Sequence, residues 1–149
     1  MKLRNYWVVA LLGLLMPLSA FGANYQNLGN YQIHYNAFSS TFLSQDMAKL
    51  YQIRRSKNRG VLTVSVLEQD PESGKLQSVE ADVDAHAVNL TGQLKQLNIR
   101  EVRDREAIYH IAEFRFSHKE SLDFEIEVSP EGWDNEPAVI RFRQQFYSD

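Results

Sequence analysis

The chain has 149 residues, with sixteen Lys and Arg against nineteen Asp and Glu for a formal net charge of −3, and 44 % of its residues are hydrophobic. These proportions are those of a single globular domain; they exclude a disordered or fibrous chain and a multi-span membrane protein, and they lack the basic bias that binding a phosphate backbone requires, so no nucleic-acid partner is expected. There is no cysteine, which removes a disulfide framework, a thiolate metal site and a cysteine nucleophile together.

The first segment is an export signal by pattern. Lys2 and Arg4 precede an apolar run from Trp7 to Leu18, and the small residues Ser19, Ala20, Gly22 and Ala23 follow. A charged start, an apolar centre and a small-residue boundary make a signal peptide over residues 1–22, cut after Gly22 or nearby, with a periplasmic domain over 23–149. The apolar run is well short of the roughly 20 residues needed to span a bilayer, so no membrane span is expected in the mature chain. Losing Lys2 and Arg4 leaves fourteen bases against nineteen acids, a net charge of −5.

Beyond the leader the pattern is period two. Tyr31, Ile33, Tyr35 and Ala37 alternate with polar residues as a half-buried strand. Ser44 reads as an N-cap, and Met47, Leu50 and Tyr51 fall at helical spacing, which predicts one short helix lying across the core. The basic run Arg54, Arg55, Lys57, Arg59 then leads into the β-branched strand ending at Leu67. The turn chemistry of Asp70 to Gly74 predicts a hairpin that pairs this strand with Val79 to Ala87, in a register where paired residue numbers add to about 145. In that register Arg59 lies opposite His86 and diagonal to Asp84. Leu94, Leu97, Ile99 and Val102 break parity, indicating a bulge or a strand buried on both faces. Ala107 to Phe116 reads as a central strand. Leu122, Phe124, Ile126 and Val128 alternate with acidic residues, and Ala138, Ile140 and Phe142 alternate with Arg141 and Arg143.

About seven short strands and one helix predict an all-β, antiparallel immunoglobulin-like sandwich, with a small barrel as the alternative. The chain resembles a domain-of-unknown-function family of small exported bacterial proteins. The segments that carry the resemblance are Asn30 to Leu43 (NYQIHYNAFSSTFL), Arg55 to Leu62 (RSKNRGVL), Ala107 to Ile111 (AIYHI) and Phe142 to Tyr147 (FRQQFY). It implies export and one compact domain, and supplies no catalytic residue.

Candidate chemistry is sparse. His34, His86, His110 and His118 form no paired metal-binding spacing and read as isolated surface residues. Glu80, Asp82, Asp84 and His86 share one strand face, but same-face neighbours stand roughly 6.5 to 7 Å apart, too far to converge on one ion. No G-x-S-x-G elbow, G-x-G-x-x-G or P-loop is present, so no catalytic residue, metal or cofactor is assigned. Arg59 and Lys57 are expected to be structural, leaving Arg54 and Arg55 to contact a partner. Trp133, in a proline-flanked loop, is either a binding aromatic or a lid folded over the core. The functional expectation is a non-catalytic periplasmic module that binds a protein or envelope component. An enzyme with an unrecognised site and a metal-handling protein are the alternatives.

Overall fold

A computed structural model describes residues 24–148; the leader expected at 1–22 and its cleavage site lie outside them. Within the described residues ten strands form two antiparallel sheets: β1 (Asn24–Leu28), β2 (Tyr31–Ser39), β3 (Arg59–Gln69), β4 (Leu76–Ser78), β5 (Ala81–Asn89), β6 (Leu94–Leu97), β7 (Arg100–Asp104), β8 (Ala107–Arg115), β9 (Glu120–Pro130) and β10 (Ala138–Phe146). The first sheet runs β1-β2-β3-β8-β7, with β4 also on β3, and the second runs β10-β9-β5-β6. The sheets pack face to face as a sandwich and do not close into a barrel. The expected fold class holds, with ten strands where the sequence indicated about seven.

The inner faces follow the alternation. Leu122, Phe124, Ile126 and Val128 of β9 are fully buried against Leu62, Val64 and Val66 of β3 and Ala85 and Ala87 of β5. At one end the core is aromatic: the Phe114 ring sits 5.3 Å from that of Phe124 and 5.2 Å from that of Phe146. Phe114 also lies directly across from Gly60. A β-carbon at Gly60 would stand 3.0 Å or less from three atoms of that ring, so this position in β3 is glycine because the ring occupies the space a side chain would need.

A second, smaller core lies on the outer face of the first sheet, where Ala48, Ile53, Val61 and Ile111 are buried together. An excursion between β2 and β3 covers it: a 3-10 turn (Ser40–Phe42) followed by α1 (Gln45–Leu50), whose N-cap Ser44 accepts the Met47 backbone N–H. The helix forms where expected but turns a different face inward. Ala48 is buried and Tyr51 packs beside it, while Met47 and Leu50 are 40 % and 60 % exposed. With Tyr51 stacking edge-on against Tyr109, the small Ala48 allows close approach to the sheet, and the larger apolar residues are left outside.

Two connections differ from the sequence expectation for one reason, that the chain changes sheets. The hairpin register is correct for Leu67 with Ser78, Glu68 with Gln77 and Gln69 with Leu76. After Val79 the chain leaves β3 and crosses to the second sheet, so β5 pairs with β9 and β6. Asp84 therefore lies opposite Glu127, and Arg59 opposite Arg115. The parity break after Leu94 is neither a bulge nor a doubly buried strand. Leu97 ends β6 in the second sheet and Arg100 opens β7 in the first.

Candidate functional site

The excursion places the basic run of the sequence. Residues 40–59 hold five bases (Lys49, Arg54, Arg55, Lys57, Arg59) and one acid (Asp46), a net +4, whereas the rest of 24–149 holds nine bases and eighteen acids, a net −9. Positive charge is thus gathered at one end of the first sheet and negative charge spread over the remainder. The same segment carries Phe42, 81 % exposed, with Met47 and Leu50 beside it in sequence. Arg55 Nη2 donates to the Thr41 carbonyl at 3.2 Å, which joins the basic run to the turn that bears Phe42. Ser40, fully buried, exchanges hydrogen bonds with the backbone of Ser56. The two ends of the excursion are fastened together, so its basic and apolar residues keep a fixed relation.

Arg54 and Arg55, expected as partner contacts, are both exposed here. Arg59, expected opposite His86 and diagonal to Asp84, instead has its Nη1 3.7 Å from Glu113 Oε1, and Glu113 also accepts the Arg54 backbone N–H. What the sequence did not reveal is Arg115. The β3–β8 register sets it against Arg59, and together Arg54, Ser56, Asn58, Arg59 and Arg115 line a pocket of about 140 Å³. Only the antiparallel partner of β3, which spacing cannot name, brings Arg115 to this position.

Trp133 belongs to the other end. Its Nε1 donates to the Glu136 carbonyl at 3.0 Å, and its ring meets Tyr31 edge-on at 6.0 Å, so it folds back over the sandwich. Tyr31 faces Glu68, nine residues along β3 from Arg59, which separates Trp133 from the arginines by about 30 Å. Around it Glu80, Asp82, Glu101 and Glu131 line a shallow depression, and Arg103 bridges Glu80 and Glu101. The three sequence candidates are therefore two sites of opposite sign.

His110 departs from its expected surface place. It is 4 % exposed, its Nε2 has no hydrogen-bond partner, and it faces Glu101 across the β7–β8 register. Desolvation lowers its pKa, against the opposing pull of Glu101 and Glu80. The Glu80, Asp82, Asp84, His86 row is a solvated face: His86 lies near Glu125, which also takes Arg141. Among the described residues no three His, Asp or Glu side chains are placed to hold a metal ion, and no helix is long and apolar enough to cross a membrane.

Residues 25–149 match the sequence model of a family described as Domain of unknown function (DUF4426). The chain belongs to that family. A DUF4426 family protein from Pseudomonas aeruginosa PAO1, known from a crystal structure, is 35 % identical; the alignment covers 85 % of this chain and 95 % of that one, with a TM-score of 0.69. Two structures of FetP from uropathogenic Escherichia coli are similar in fold at 7 % identity. One is a copper-bound variant (TM-score 0.60, covering 85 % of this chain and 95 % of that one), and the other is the protein as isolated after expression in the periplasm (TM-score 0.58, 84 % and 93 %). No curated protein matches the sequence.

Proposed function

We propose that this DUF4426 protein is a non-catalytic, periplasmic binding module that engages an acidic component of the cell envelope through the 40–59 excursion. The observation that carries the reading is the exposure of Phe42, Met47 and Leu50 within the one strongly basic segment of an otherwise acidic domain. Exposed apolar residues grouped with arginines mark interaction surfaces, because aromatic, Met and Arg side chains bury large areas and still satisfy polar ends. Export is supported by the Lys2 to Ala23 pattern.

Photocrosslinking in intact cells tests the reading. A crosslinker at position 50 or 55 should capture an envelope component, and one at position 127 on the second sheet should not; equal capture from both faces refutes it. The copper-bound FetP variant gives metal handling as a second reading. It is the weaker one, because beyond residue 23 this chain has one methionine, Met47, and no cysteine, and its described carboxylates and histidines do not converge.

A further inference from the structure

The arginine pocket carries a more specific conclusion. Arg54, Ser56 and Asn58 reach it from the excursion, Arg59 from β3 and Arg115 from β8. Arg59 and Arg115 are directly opposed across the strand pair, an arrangement of like charges that repels. Glu113 is shared between the Arg59 side chain and the Arg54 backbone N–H, and Glu120 is taken up by Lys95. Among the described residues no ion pair reaches the guanidinium of Arg54, Arg55 or Arg115. Positive charge is therefore concentrated around a small space with little to neutralise it. At about 140 Å³ the space equals four or five water volumes of ~30 Å³ each, room for one tetrahedral oxyanion. Guanidinium forks match the oxygens of a phosphate, and the Ser56 and Asn58 side chains can add hydrogen bonds to it.

The surroundings of the pocket decide the source of that phosphate. Phe42 projects with 81 % of its surface exposed and Leu50 with 60 %, as knobs on the excursion that also supplies three of the pocket residues. Lys49 lies between Met47 and Leu50 in sequence, and Arg55 is hydrogen-bonded to the turn that bears Phe42. Exposed apolar residues interleaved with bases, on the excursion that also lines a pocket of headgroup size, suit a membrane interface, where aromatic and aliphatic side chains enter the acyl boundary and bases meet anionic headgroups. The net −9 of the remaining domain is repelled by the same surface and turns the excursion toward it. We propose that Arg54, Arg59 and Arg115 bind the phosphate of an anionic phospholipid headgroup, while Phe42, Met47 and Leu50 enter the interface. This rests on the excursion being the recognition face, and names its partner as a lipid surface.

Co-sedimentation with phosphatidylcholine vesicles, with and without phosphatidylglycerol, tests it. The protein should partition onto the phosphatidylglycerol vesicles alone, and raising NaCl from about 0.1 to about 0.5 M should release it. Arg54→Ala and Arg115→Ala should each weaken partitioning about five-fold, the effect of one base at an anionic surface. Phe42→Asp should weaken it further, and Lys75→Ala, in the distant β3–β4 turn, should leave it unchanged. Retained partitioning in Arg115→Ala overturns the pocket. Binding of inorganic phosphate without any partitioning onto vesicles overturns the lipid as its source. If vesicles are ignored while position 50 still crosslinks an envelope protein, the lipid proposal falls and the recognition face stands.

Discussion

Gly60→Ala adds a single carbon at the most crowded point of β3. That carbon would lie 3.0 Å or less from Cζ, Cε1 and Cε2 of Phe114, so either the ring or the strand must shift. The ring has little freedom to move: Phe114 is buried and touches Phe116, Phe124 and Phe146, and Phe146 in turn packs on Phe116 at 5.1 Å. Overpacking of this kind costs about 1–3 kcal/mol. The backbone entropy removed from the unfolded chain returns about 0.4–1 kcal/mol. With an aromatic cluster resisting relaxation, the net loss should be about 1–2 kcal/mol, a fall of about 4–8 °C in Tm for a domain of this size. Thermal unfolding by circular dichroism measures it, and Gly60→Ala in a Phe114→Leu background supplies the control. Removing the ring should relieve most of the cost of the added carbon. A Gly60→Ala protein as stable as the parent, or an unchanged cost in the Phe114→Leu background, would refute the reasoning.

Three further outcomes are expected. Phe124→Ala, which empties a fully buried site, should cost about 3–5 kcal/mol in a urea titration and Glu125→Ala, on the outer face, under about 1 kcal/mol; equal costs would mean the faces of β9 are reversed. Excess EDTA should leave Tm unchanged because no described cluster can hold a metal, and a loss of several degrees would restore the Glu80 to His86 row as a site. Protein recovered from the periplasm should have an intact mass beginning between residues 21 and 24, whereas full-length chain in the inner membrane would remove the periplasmic assignment.

The inward and outward faces were legible in the sequence because alternation is a local property: β9 and β10 bury the residues that their period-two pattern indicates. Sheet membership was not, since a strand of given parity fits either layer of a sandwich. The hairpin illustrates the limit. Its turn and register are set by Asp70 to Gly74, yet pairing ends after Ser78 because the chain must cross to cover the core from the other side. Arg54 and Arg55 were readable as a surface basic run, whereas Arg115 joins them only through a register between strands roughly fifty residues apart in sequence. Met47 and Leu50 looked like core by spacing. Their exposure follows from the shortness of α1, six residues, which can bury little more than one narrow side.

His110 makes the acid limb of stability a test of the inner geometry. Its imidazole lies between the sheets, 4 % exposed, with Nε2 unpartnered. Glu101, Glu80 and Asp82 favour its protonation and Arg103 opposes it, but desolvation is the largest influence and holds the pKa below the ordinary 6.5. The unfolded chain therefore takes up a proton at higher pH than the folded one. Stability should be full above about pH 6.5 and decline as pH falls from there toward the folded value, with a slope approaching 1.4 kcal/mol per pH unit while only the unfolded state is protonated. The carboxylates held low by their partners, Glu120 and Asp123, lose their contribution only at lower pH, so urea midpoints between pH 6.5 and 5 leave them out, and comparison with a His110 variant singles out this histidine. His110→Phe keeps a ring in the space and removes both the titration and the buried nitrogen, whose lack of a partner costs about 1–3 kcal/mol. The variant should be at least as stable as the parent at pH 7 and nearly flat from 6.5 to 5. An unchanged slope would show that His110 is not the source of the acid sensitivity and that its nitrogen is reached by water.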